Sequence, residues 1–169
     1  TAVAVSTPTK KSVLVVDDEA DIRELVRYNL EREGFVVAEA ADGREALQQV
    51  EKLQPDVVLM DMVMPEMDGA SATRAIRKQF PQVHVIVLSS FKEGSLIKKA
   101  LEAGAISYLT KDVSADDLAR AIRSAHRGRA TLSPDVAQSL VETSNLPPTP
   151  GQDLTERERE VLALMIEGL

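Results

Sequence analysis

Four short apolar runs in this sequence each end on residues able to do chemistry. VLVV is followed by Asp17 and Asp18, VVLM by Asp61, VHVIVL by Ser89, and YLT by Lys111. Three carboxylates brought together repel one another unless a cation joins them. A cluster of hard oxygen ligands with room for water suits Mg²⁺. Three acids, one divalent ion and the Lys111 ammonium sum to about zero, and such a site can receive a dianionic phosphoryl group. In that reading Asp61 is the nucleophile and becomes an acyl phosphate. Mg²⁺, held by Asp17 and Asp18, and Lys111 take up charge on the transferring oxygens. Ser89 hydrogen-bonds a phosphate oxygen.

These residues work together only if separate stretches reach one edge. The apolar runs Val13–Val16, Phe35–Ala40, Val57–Met60, Val83–Leu88 and Ile106–Leu109 read as strands. Amphipathic stretches at 20–33, 43–53, 69–80, 93–102 and 114–127 separate or follow them. Gly34 and Gly104 stand where C-terminal helix caps use glycine, and Ser114 with Asp117 has the spacing of an N-terminal cap. Such alternation predicts an α/β fold, a parallel sheet with helices on both faces. Ligands of an open parallel sheet bind outside the carboxyl ends of its strands, and there all the candidate groups fall.

Each residue also has a plainer reading. An Asp-Asp pair after a strand is often a helix start, and Lys111 could be one solvated lysine among many. The convergence of all of them on one edge favours the site. Met60, Met62, Met64 and Met67 read as core and loop packing, His84 and His126 as surface residues, and the arginines of 120–129 as a solvated face.

Composition bounds the rest. With 169 residues, 44% hydrophobic and 28% charged, the chain reads as a globular domain with something small beside it. No apolar run approaches the roughly 20 residues of a membrane helix. There is no cysteine, which removes disulfides and thiolate metal sites and fits a cytoplasmic protein. A net charge of −7 argues against gripping nucleic acid by charge alone. Residues 1–11 read as a flexible tail, 12–128 as the main domain, and 129–153 as a linker holding a helix and a proline-rich stretch. Ser133 and Pro134 are placed to start that helix. Residues 154–169, with Thr155 and Glu158 in capping-box spacing, read as the first helix of a further domain cut at Leu169.

The blocks VLVVDDE, DVVLMDMVMPEMDG, VIVLSS and YLTKD resemble, in order and spacing, the receiver domain of two-component response regulators. The resemblance implies a doubly wound, flavodoxin-like sheet of five parallel strands in the order 2-1-3-4-5. It implies Asp61 as phosphoacceptor, supplied by a phosphohistidine on a sensor histidine kinase, and Asp17 with Asp18 as the acidic pair. The backbone carbonyl of Val63 would join Asp17, Asp18 and Asp61 around Mg²⁺. Ser89 would be the switch hydroxyl, Tyr108 the switch aromatic and Lys111 the family lysine. Val63 and Phe91 would flank the path of water to an acyl phosphate. LTEREREVLALMIEGL is similar to the start of a LuxR/NarL-type helix-turn-helix, as is GAISYLTKDVSADDLARAIRSAHRGRATLSPDVA to that subfamily, whereas the N-terminal third is closer to OmpR-type receivers. The resemblance further implies transcription regulation, a homodimer on phosphorylation, and DNA contact only through an output domain missing from this chain. A haloacid-dehalogenase-type phosphatase would want an acid where Val63 stands, and a nicotinamide-binding domain would want a glycine-rich loop in place of Asp17–Glu19. The remaining alternative is a phosphorylation-independent, receiver-like interaction module.

Overall fold

The computed structural model describes residues 10–144. The expected N-terminal tail, save its last two residues, the proline-rich stretch and the helix at 154–169 lie outside them. Five strands, β1 (Ser12–Val16), β2 (Val36–Ala40), β3 (Val57–Met60), β4 (His84–Ser89) and β5 (Ser107–Thr110), form one parallel sheet ordered β2-β1-β3-β4-β5. Helices α1 (Ala20–Arg32), α2 (Gly43–Leu53), α3 (Gly69–Gln79), α4 (Gly94–Glu102) and α5 (Ala115–His126) follow the strands in turn, and α6 (Pro134–Ser144) ends the described chain. The expected fold class and strand order are therefore found. Strand limits differ from expectation by at most one residue, and β4 and β5 run on to include Ser89 and Thr110.

The period of two along each strand divides the core. Val13 and Val15 of β1 join Val57, Leu59, Ile86 and Leu88 under α1 and α5, against Val26, Leu30, Leu118 and Ile122. Leu14 and Val16 face the other way, with Val58, Met60 and Val85 beneath α2 and α3. Both faces of the inner strands are buried, so their side chains must be apolar on both. Each Val, Leu or Ile so placed contributes roughly 1.5–3 kcal/mol. Met60, Met62 and Met64 are buried in this packing, as expected for core residues.

Helix ends follow the local signals. The Ser114 side chain accepts from Asp117 N–H at 3.1 Å, and Asp42 and Asp68 cap α2 and α3 in the same way. Gly34 and Gly104 have φ of 93° and 110°, which only glycine adopts without strain.

The linker is more tightly bound than its sequence suggests. Residues 131–133 run beside the outer edge of β5: Tyr108 N–H donates to the Thr131 carbonyl at 3.2 Å, and Ser133 N–H to the Tyr108 carbonyl at 3.4 Å. Helix α6 begins at Pro134 as expected, and the Ser133 carbonyl accepts its first bond, from Ala137 N–H at 2.9 Å. The Ser133 hydroxyl, however, accepts from Thr110 N–H at 3.2 Å and so ties the linker to β5. Val136 and Leu140 of α6 are buried with Ile97, Leu101, Val87 and Tyr108, and Asp135 pairs with Lys92 at 2.9 Å. At the start of α4 a Cβ on Gly94 would lie 1.7 Å from the Thr143 hydroxyl oxygen, so glycine lets α6 cross there. Gly94→Ala should therefore cost about 1–3 kcal/mol through overpacking, read in urea unfolding, and should speed amide exchange along α6. Unchanged stability and exchange would show that the crossing does not depend on Gly94.

Candidate functional site

The ladder places the acids. Val16 is in register with Met60, so Asp17 and Asp61 are the next residues on neighbouring strands. Their backbones extend the ladder: Asp61 N–H donates to the Val16 carbonyl at 3.0 Å and Asp17 N–H to the Ala40 carbonyl at 3.2 Å. Asp17 and Asp61 are both buried, whereas Asp18, the first residue of the turn into α1, is exposed. One carboxylate oxygen from each of Asp17, Asp18 and Asp61 lies within 4.8 Å of the other two.

Gly69 explains the MDG ending of the stretch after β3. Asp68 caps α3, and Gly69 N–H donates to the Met62 carbonyl at 3.0 Å. A Cβ on Gly69 would stand 2.0 Å from the Asp61 carbonyl oxygen. Glycine lets α3 press directly on the backbone that carries Asp61.

Lys111 closes the group from β5. Its backbone N–H donates to the Ser89 carbonyl at 3.0 Å, and its Nζ lies 2.7 Å from Asp17 Oδ2 and 3.4 Å from Asp61 Oδ2. Burial works against the ammonium, but its bond to Asp17 and the field of Asp61 outweigh that and raise its pKa. Burial, then the charge of Asp17, pushes Asp61 up to about 6, although Lys111 and the Val63 N–H pull it down. A second positive charge in this pocket would relieve that strain, and three convergent oxygens suit a hard divalent ion.

Ser89 and Tyr108 form the next layer. Ser89 is buried and its hydroxyl accepts from Phe91 N–H at 3.1 Å. Tyr108 is fully buried, and its hydroxyl donates to the Phe91 carbonyl at 2.6 Å. Val63 and Phe91, by contrast, are exposed. The fold thus gathers Asp17, Asp18, Asp61 and Lys111 into one pocket and joins Ser89 to Tyr108 through Phe91. His84 and His126 lie elsewhere, with His126 near Asp56 at 3.8 Å. Arg120 is exposed as expected, whereas Arg123 lies over the Phe35 ring at 5.3 Å and reaches Glu33.

Residues 13–123 match the response regulator receiver domain family. The chain belongs to that family. This receiver is 39% identical over 158 residues to the response regulator protein VraR of Staphylococcus aureus, covering 92% of this chain and 76% of the relative. A LuxR-family two-component response regulator from Aurantimonas sp. SI85-9A1 superposes with a TM-score of 0.75 at 35% identity, over 80% of this chain and 99% of that one. The signal receiver domain of the response regulator NarL from Mycobacterium tuberculosis does so with a TM-score of 0.68 at 35% identity, over 72% and 100%. Among the described residues no helix is long and apolar enough to cross a membrane.

Gly69 was given no role in the sequence, because its place against Asp61 requires the three-dimensional path of α3. The raised pKa of Asp61 also has a measurable consequence. The folded protein holds this proton from the ordinary carboxylate range up to about pH 6, whereas the unfolded chain releases it earlier. Folding is therefore favoured at the acid end, and that contribution is lost as pH rises through about 6. In metal-free protein Asp61→Asn should then gain about 1–3 kcal/mol over the parent at pH 7.5 and almost nothing at pH 4. Urea unfolding at the two pH values checks it, and an equal effect at both would remove the buried charge as its cause.

Proposed function

We propose that the receiver accepts a phosphoryl group on Asp61 from a phosphohistidine of a sensor histidine kinase and uses it to control an output domain that binds DNA. The observation that carries this reading is the buried Asp61 carboxylate standing beside Asp17 and Asp18, with the Lys111 ammonium 2.7 Å from Asp17 and 3.4 Å from Asp61. An Asp61 oxygen attacks phosphorus, the P–N bond breaks, and the imidazole leaves with its electron pair and takes up a proton. Lys111, already bonded to Asp17, is positioned to hold charge developing on a phosphoryl oxygen. Ser89 can exchange its bond from Phe91 N–H for one donated to the phosphoryl group.

Mg²⁺ fits the donor set, with Asp17, Asp18, Asp61 and the Val63 carbonyl as the residues that would hold it. When bound it supplies charge neutralisation for a dianion entering among carboxylates. The protein is in this reading no enzyme acting on other molecules: it assists only the gain and loss of its own phosphoryl group. Movement of Ser89 would release Phe91, which also holds Tyr108, and Tyr108 lies against the linker and α6. That gives a path to residues past 144. The same reading places the protein in the cytoplasm, pairs phosphorylated copies as a homodimer, and assigns receiver, linker and output roles to 12–128, 129–153 and 154–169.

Incubation with acetyl phosphate and Mg²⁺ should add one phosphoryl mass to the intact chain, and none to Asp61→Asn. Absence of the adduct in the parent would favour a phosphorylation-independent interaction module, and an adduct on the mutant at the parent rate would move the acceptor elsewhere. The lifetime of the adduct is a separate expectation. Val63 and Phe91 carry no group that could hold or activate water, so the half-life should be minutes to hours. Val63→Asn combined with Phe91→Ser should shorten it, each tenfold corresponding to about 1.4 kcal/mol of barrier. Decay of the phosphorylated mass peak after removal of acetyl phosphate measures both, and a parent half-life of seconds would reject the assignment of these two side chains.

A further inference from the structure

Arg23 lies outside the acid pocket, on the second turn of α1, yet its guanidinium is turned toward it. Its side chain is 17% exposed. One guanidinium nitrogen donates to the backbone carbonyl of Asp17 at 2.6 Å, and another meets Glu39 Oε1 of β2 at 3.3 Å. The other oxygen of Glu39 is taken by Arg27 at 3.0 Å, so two arginines four residues apart on one face of α1 hold Glu39. A surface ion pair alone would carry little meaning. Here the same cation also makes a charge-assisted bond to the peptide that joins Asp17 to Asp18.

That peptide is where the metal-facing acids are set. Asp17 Oδ1 accepts from Glu19 N–H at 2.9 Å and Oδ2 meets Lys111. With Arg23 on the carbonyl, Asp17 is held at three points. The carbonyl direction fixes the plane of the Asp17–Asp18 peptide, and hence where the Asp18 chain departs. Asp18 is exposed and receives no positioning from the core, so the orientation of this peptide decides how near its carboxylate stays to Asp17 and Asp61. An arginine is suited to this task because its planar fork can serve a carbonyl and a carboxylate at once, whereas lysine offers a single nitrogen.

We propose that Arg23 is a positioning residue for the acid pocket: anchored on Glu39, it pins the Asp17 carbonyl and so presets Asp17 and Asp18 for a divalent cation beside Asp61. The proposal rests on the reading of that pocket as a Mg²⁺ and phosphoryl site. Partners one shell out from a metal's ligands typically change its affinity by roughly 10–100-fold.

The test uses the whole chain and Mg²⁺ alone, titrated while the amide NMR shifts of the Asp17–Glu19 turn are followed. Arg23→Ala should weaken Mg²⁺ binding about tenfold, with Arg23→Lys between it and the parent. With acetyl phosphate as donor, Arg23→Ala should need about tenfold more Mg²⁺ for half-maximal rate and approach the parent rate at saturation. A residue that merely stabilised the fold would lower the melting temperature and leave the Mg²⁺ affinity of the folded protein unchanged. Should Arg23→Ala fail to fold, Glu39→Gln leaves Arg23 in place without its anchor and should weaken Mg²⁺ binding in the same direction by a smaller factor. Affinity within about twofold of the parent in the folded variants overturns the role of Arg23. A parent that binds Mg²⁺ but takes no phosphoryl group overturns the phosphoacceptor reading and leaves the role of Arg23 standing. A parent that does not bind Mg²⁺ overturns both.

Discussion

The repulsion among Asp17, Asp18 and Asp61 is the constraint around which the molecule is arranged. Two of the three are buried, where a lone carboxylate is costly and an uncompensated group of them more so. The single ammonium of Lys111 reaches two of them and cannot balance three charges. The imbalance shows in Asp61, whose carboxyl is pushed up to about 6. Such an arrangement costs stability and persists only where the surrounding structure holds it in place. It leaves a pocket that favours the arrival of positive charge.

The holding is done by backbone more than by side chains. Ladder hydrogen bonds carry β1 and β3 straight into Asp17 and Asp61, and the same register brings Lys111 beside Ser89. Both faces of the inner strands are packed, so a slip of register would exchange side chains between two fitted apolar layers and break the packing of both. Gly69 adds a contact without a side chain, because α3 must approach the Asp61 carbonyl more closely than any Cβ permits.

The same packing connects the pocket to the end of the described chain. Met62, next to Asp61, lies in one apolar cluster with Val87, Tyr108, Val136 and Leu140. Above it the Phe91 backbone bonds to both Ser89 and Tyr108, and the Tyr108 backbone bonds to Thr131 and Ser133. Interiors this closely packed transmit displacement poorly by stretching and better by exchange between discrete arrangements. Helix α6 therefore stands where a rearrangement of the Ser89–Gly94 segment would be felt, with Lys92–Asp135 and Gly94–Thr143 as the contacts at stake.

How much of this was legible follows from the range of the forces. The period-two and helical patterns, the caps at Ser114, Gly34 and Gly104, and the polar residues closing each apolar run are local, and they determined the α/β alternation, the parallel sheet and the edge that carries Asp17, Asp18, Asp61, Ser89 and Lys111. The motif blocks added the strand order. Contacts between distant residues were beyond that reading. That Lys111 lies closer to Asp17 than to Asp61 depends on where β5 and the turn after β1 meet. That the Ser133 hydroxyl serves Thr110 depends on the linker running along β5, and that Gly94 admits Thr143 depends on the crossing of two helices. Nothing in the sequence singles out Arg23. Only the approach of α1 to Glu39 and to the Asp17 carbonyl makes it part of the site, because hydrogen-bond partners far apart in sequence are fixed by packing and leave no periodic trace in the chain.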